Sequence, residues 1–176
     1  FKDKITELQS SGMSKMIIDL RDNPGGVLDE ACNMADMILP EGIITYTETK
    51  SGKRTDYNSD AESLDIPIVI LINENSASAS EVFTGALKDY GKATVVGKKS
   101  YGKGIVQSVL PFYDGSGMSL TVAKYYTPNG TCIHGIGIEP DVEVDMPDEY
   151  KDMYASMVEH DKDTQLQKAI EIIKEK

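Results

Sequence analysis

Three serines alternate with two alanines in Asn73–Phe83 (NENSASASEVF): Ser76, Ser78 and Ser80. A serine beside an apolar run is a helix cap or a nucleophile, and the local residues fit both. Ser78-Ala79-Ser80-Glu81 has the spacing of a capping box, with Ser78 at the N-cap and Glu81 three residues on. Ser76 or Asn75 could cap equally well. The same junction suits a nucleophile, because a helix N-terminus offers unpaired N–H groups and positive potential to an anion forming beside it.

A nucleophilic serine needs a base. The two histidines, His134 in TCIHGIGIEP and His160 in VEHDKD, lie in turn-rich and charged surroundings that do nothing to orient an imidazole. Lysine is the other choice. A lysine acting as base near neutral pH must be held in a buried place that lowers its pKa from about 10.4 to roughly 7–8. Lys103 lies between Gly102 and Gly104 at the entry to a strand-like run, where glycines permit close packing. Gln107, at an even separation from Lys103, shares its face in an extended segment and can orient it. A third component, donors for an oxyanion, is available in IIDLRDNPGGVL, where a strand, a Pro-Gly-Gly turn and a helix start present glycine amides.

The elements that must carry these residues alternate in type. Met16–Arg21 reads as a buried strand and Val27–Leu39 as a helix stopped by Pro40. Gly42–Thr49 is strand-like, and Lys50–Ser63 reads as a polar loop. Ile66–Asn73 (IPIVILIN) is a continuous apolar run, as in a buried parallel strand. A helical stripe from Ala79 to Tyr90 ends at Gly91, and Ala93–Gly97 is a further strand. Beyond it, GIVQSVLPF, GMSLTVAKYYT and DVEVD read as strands joined by turns, the first two through Asp114–Gly117. Thr164–Lys176 has helical periodicity, with its apolar stripe on the core or on a second copy of the chain, and the charged stretch before it reads as a linker or loose helix. The expected fold is an α/β core with an added β-rich section and a C-terminal helix. The catalytic core is placed at 1–147, and the linker and helix at 148–176.

Composition removes several function classes. The 176-residue chain has a formal net charge of −11 and only two arginines, Arg21 and Arg54, which argues against a nucleic-acid or anionic-membrane partner. Cys32 and Cys132 stand alone, no metal-ligand cluster occurs, and no cofactor is expected. Gly97–Gly104 (GKKSYGKG) imitates the start of a phosphate-binding loop. It lacks the Ser or Thr after its lysine and opens a β-branched run instead of a helix.

Taken together, IIDLRDNPGG, NENSASASEVFTGALKDYGKATVVGKKSYGKGIVQ and TPNGTCIHGIGIEPDVEV resemble, in order and context, the carboxy-terminal processing (tail-specific) serine peptidases, from about Lys15 to Val144. The resemblance implies a ClpP/crotonase-like α/β core and a Ser/Lys peptidase. It places the nucleophile on Ser78, the base on Lys103 and the lysine-orienting glutamine on Gln107. The oxyanion donors fall on the N–H groups of Gly26 and Ala79. It further implies proteins with accessible, mostly apolar C-terminal tails as substrates, and a location outside the cytoplasm, with tethering to the membrane by an N-terminal segment. Members usually carry a PDZ domain ahead of the core, and FKDKITELQSSGMSK leads here straight into the first core strand. The alternative is a core of the same fold that binds a peptide or other ligand without turning it over. The catalytic assignment also sets the capping box aside, since a capping hydroxyl is occupied and a nucleophile must be free.

Overall fold

A computed structural model describes residues 1–176. The chain builds two four-stranded sheets and four α-helices. The first sheet is parallel throughout, in the order β1 (Met16–Asp19), β4 (Ile68–Ile72), β5 (Ala93–Gly97), β8 (Val142–Glu143). The second is antiparallel, in the order β3 (Arg54–Ser59), β2 (Gly42–Thr49), β7 (Gly117–Tyr126), β6 (Ile105–Pro111). The helices are α1 (Lys2–Ser10), α2 (Leu28–Asp36), α3 (Ala79–Asp89) and α4 (Thr164–Glu175).

β4 shows why its run is apolar without alternation. Ile68, Ile70 and Ile72 face the main core with Val82, Phe83, Ala86 and Leu87 of α3. Val69 and Leu71 face the other way, onto Ala169 and Ile173 of α4. All five strand residues are buried because helices cover both faces, the usual condition of a parallel strand. The apolar stripe of α4 is therefore used on the chain's own sheet.

Three expectations require correction. The polar loop expected over Lys50–Ser63 contains β3, which pairs antiparallel with β2 through a turn closed by the Thr49 N–H on the Lys53 carbonyl. β3 lies at a sheet edge and is exposed along most of its length, so it lacks the apolar alternation that marks a half-buried strand. The segment DVEVD contributes only Val142–Glu143 as strand. It joins the parallel core beside β5 and not the antiparallel section. The stretch before α4 is neither free linker nor loose helix. It makes two 3₁₀ turns, Asp148–Tyr150 and Ala155–Met157, and leads into a buried ion pair.

That ion pair fastens α4 to the end of β1. Both oxygens of Asp163 accept from the Arg21 guanidinium, at 2.7 and 2.9 Å, with both side chains only 2% exposed. Asp163 also caps α4 by accepting the Leu166 N–H at 2.9 Å. Asp19 and the Gln165 side-chain oxygen take the remaining guanidinium donors. Burial works against the Arg21 charge, and the bonds to Asp19 and Asp163 outweigh it and raise its pKa. Both cysteines are free thiols; burial pushes Cys32 up to about 11, with Asp29 adding to the shift.

Removing one partner of a buried pair leaves the other charge uncompensated. Asp163→Ala is therefore expected to cost about 3 kcal/mol in denaturant unfolding. Asp19→Ala should cost less, about 1–2 kcal/mol, because Asp19 is 44% exposed but accepts two donors of the buried Arg21.

Candidate functional site

Three loops leave the carboxyl ends of adjacent parallel strands, the edge where open α/β sheets place their ligands. Residues 20–27 follow β1, 73–78 follow β4 and 98–104 follow β5. The sequence-predicted residues Gly26, Ser78 and Lys103 lie one on each.

The first two loops are joined backbone to backbone. The Ala77 N–H donates to the Asn23 carbonyl at 3.0 Å, and the Asn23 side chain accepts the Gly25 N–H at 2.9 Å. Gly25 has φ +91°, and a Cβ there would lie 2.5 Å from the Ala77 carbonyl oxygen and 2.7 Å from the Ala79 nitrogen. Only glycine lets the turn sit this close. Gly26 is open by contrast, with nothing within 4 Å of the corresponding position. The N–H groups of Gly26 and Ala79 donate to nothing within the protein. Both residues line an apolar cavity of about 190 Å³, which Val27, Ala31, Met34 and Phe83 also line and Glu30 borders.

Ser78 has φ 58° and ψ −117°, a conformation that non-glycine residues rarely adopt. The strain is held from both sides. The Ser76 hydroxyl donates to the Leu20 carbonyl at 2.7 Å and accepts the Asn73 N–H at 3.0 Å, so Ser76 is a buried staple. On the helical side, the Glu81 carboxylate accepts the Ser78 N–H at 2.8 Å. This is the glutamate half of the capping box that the sequence reading set aside. It engages the Ser78 backbone, so the capping box discounted from the sequence is formed at this junction.

Glu81 is fully buried and also fixes the third loop. One carboxylate oxygen accepts the Gly102 N–H at 2.6 Å and the Ser100 hydroxyl at 2.5 Å. The other, already bonded to Ser78 N–H, accepts the Lys103 N–H at 2.8 Å. The backbone nitrogens of Ser78 and Lys103 are thus no farther apart than twice that distance. Sequence reading missed this role of Glu81, although the Ser-x-x-Glu spacing was its signal.

Lys103 departs from expectation: its side chain is exposed, not buried. The flanking glycines answer a different need. A Cβ on Gly104 would lie 2.3 Å from the His134 nitrogen, and one on Gly102 would lie 3.1 Å from the Gly137 nitrogen. They let this loop pack against the turn at 133–137, to which it is tied by the Gly135 N–H on the Gly102 carbonyl. The same-face argument for Gln107 does not reach Lys103, because β6 begins only at Ile105; the register shift with β7 between Val106 and Gln107 leaves the extra residue, Val122, on β7. Gln107 is exposed on β6. His134 and His160 are exposed as well.

A serine at a strained strand–helix junction, a glycine turn with a free amide and a lysine loop anchored to the same helix thus meet at one edge of an α/β core. Comparison with known proteins gives the family: the model of "Peptidase family S41" matches residues 1–144, and the chain belongs to that family. It is 50% identical over 151 residues to a "Probable CtpA-like serine protease" of Staphylococcus aureus (strain bovine RF122 / ET3-1), and 46% identical over 151 residues to one of the same name from Staphylococcus epidermidis. Each alignment covers 83% of this chain and 30% of the relative, so the chain spans under a third of the length of these curated relatives. Among solved structures it resembles the photosystem II D1 C-terminal processing protease, with a TM-score of 0.77 and 38% identity over 83% of this chain and 39% of that one. A putative S41 protease from Bacteroides fragilis shares the fold at a TM-score of 0.79 with 20% identity, over 99% of this chain and 49% of that one.

Replacing the Glu81 carboxylate by an amide turns an N–H₂ group toward donors. Glu81→Gln is expected to cost about 2–4 kcal/mol in denaturant unfolding and to lower hydrogen-exchange protection at Gly102 and Lys103. Unchanged protection at those two amides would show that the carboxylate does not hold the third loop.

Proposed function

We propose that the chain is the catalytic core of a serine endopeptidase that works through a Ser/Lys dyad. The observation that carries this reading is Ser78. It is a strained non-glycine residue at a strand–helix junction, beside two undonated amides and an apolar cavity. Backbone strain retained at one exposed edge of a fold is a common sign of function. Family membership and the relatives' names as serine proteases support the same class.

In this reading Ser78 attacks the scissile carbonyl while Lys103, in its neutral form, takes the hydroxyl proton. The Gly26 and Ala79 amides receive the oxyanion. The lysine ammonium then protonates the leaving amine, and water hydrolyses the acyl-enzyme with Lys103 again as base. Gln107 orients the lysine side chain from β6. Because Lys103 is exposed in the free chain, substrate supplies its cover: a peptide lying between the glycine turn and the β6 loop shields the lysine as it binds. The cavity lined by Val27, Ala31, Met34 and Phe83 favours an apolar residue next to the scissile bond. Apolar C-terminal tails as substrates are part of the same proposal, and the relative named for C-terminal processing supports cleavage near a C-terminus. Action outside the cytoplasm is part of the same proposal.

The exposed Lys103 side chain favours one rival, a peptide-binding core that does not turn substrate over. A serine-directed covalent probe separates the two, because only the peptidase is labelled at Ser78. Against an unfolded protein with an apolar tail, Ser78→Ala and Lys103→Ala are each expected to lower cleavage at least about 10³-fold. Gln107→Ala should lower it about tenfold. Ser80→Ala should stay near wild type. Ser76→Ala should keep the chemistry but lose about 1–3 kcal/mol of stability, since it strands the Asn73 N–H and the Leu20 carbonyl. Wild-type cleavage by either dyad variant overturns the assignment.

A further inference from the structure

Residues 147–158 run between β8 and α4 with only two short 3₁₀ turns, yet they lie over the loops that leave β1 and β4. A polar cavity of about 390 Å³ separates the two layers, with Asp22, Asn73 and Asn75 on one side and Asp152, Met153 and Tyr154 on the other. The strap is fastened across it by the Ala155 N–H, which donates to one oxygen of Asp22 at 2.8 Å.

Asp22 is built into the glycine turn. Its φ is 59°, a left-handed conformation that Asp tolerates better than most residues when its side chain bonds locally. Its N–H donates to the Asn73 side-chain oxygen at 2.9 Å. Its second carboxylate oxygen accepts from the side-chain amides of Asn73 and Asn75, each at 2.8 Å. Burial by itself would raise the Asp22 carboxyl. The bonds from Asn75, Ala155 and Asn73, helped by Arg21, outweigh it and hold the group below its ordinary range. One oxygen thus grips the serine loop and the other grips the strap. The next residue, Asn23, carries the bonds to Ala77 and Gly25.

We propose that Asp22 is a positioning residue, a clamp through which the 147–158 strap fixes the glycine turn, and with it the Gly26 amide, relative to Ser78. The catalytic consequence rests on the peptidase reading above; the clamp itself does not. Nothing in this arrangement touches the reacting atoms directly. It acts by holding a donor where charge develops, and a misplacement of about 1 Å at such a site can cost on the order of 10²-fold in rate.

Two variants cut the clamp from opposite sides. Asp22→Asn keeps one acceptor oxygen and loses the other. Ala155→Pro removes only the N–H. Ala155 opens its 3₁₀ turn, and Tyr154 before it has φ −59° and ψ 136°, the extended conformation proline requires of its predecessor. Hydrogen exchange is read at the Asp22, Gly25 and Ala77 amides, and kcat and KM with an apolar-tailed peptide. Each folded variant is expected to speed exchange at those three amides about tenfold, the size expected for losing one bond to a carboxylate, while the β4 amides are unchanged. kcat should fall about tenfold with KM within about twofold, and the double variant should be no worse than either single one. Wild-type exchange at all three amides overturns the clamp. Faster exchange with unchanged kcat overturns the positioning role. If the wild-type chain neither cleaves nor labels at Ser78, the peptidase reading fails and the exchange data alone decide the clamp. Either variant suffices if the other does not fold.

Discussion

The arrangement of this edge of the molecule depends on one buried carboxylate. Glu81 takes the backbone N–H groups of Ser78, Gly102 and Lys103 and the hydroxyl of Ser100. Four donors satisfy a group whose burial would otherwise be costly. The same bonds set the separation between two loops that are distant in sequence. A neutral side chain of similar size could not do this, because every neighbour presents a donor. The requirement that a buried charge be fully paired thus becomes a constraint on where a serine and a lysine loop lie.

The parallel sheet makes this economy possible. β1, β4 and β5 are neighbours, so the loops at their carboxyl ends are brought together by strand pairing before any side chain acts. The polar bonds then refine a proximity that topology provides. Asn23 and Gly25 join the first loop to the second, and Ser76 joins the second to the end of β1 and, through its carbonyl, to the Tyr101 N–H of the third. The strain at Ser78 can persist because its neighbours on both sides are fixed by bonds that relaxation would break.

Much of this was legible in the sequence where one residue type carries one physical meaning. The run Ile68–Ile72 shows a two-sided burial that no amphipathic element would show, and it is an inner strand of the parallel sheet. The stripe from Ala79 shows α3, and Asp114–Gly117 shows the β6–β7 turn. What escaped were features set by partners far along the chain. β3 is polar because it is an edge, and an edge strand announces itself only through its pairing. Lys103 was expected to be buried because glycines flank it, but those glycines accommodate the turn at 133–137. Gln107 was placed relative to Lys103 by an alternation that extends back only to Ile105, where β6 begins. The roles of Asp22 and Asp163 required the fold, since their partners are 133 and 142 residues away.

The distribution of polar bonds also explains why the C-terminal segment belongs to the same mechanical unit as the loops. Arg21 and Asp22 are consecutive residues at the end of β1, and each binds the C-terminal segment: Arg21 through Asp163, Asp22 through Ala155. The arginine bond is buried and holds α4 in place. The aspartate bond is only partly buried, and Asp22 borders a polar cavity. A buried, doubly bonded pair resists opening, whereas a single bond beside water opens far more readily. The helix is thus the firmer of the two attachments, and the strap ahead of it is held by the weaker one.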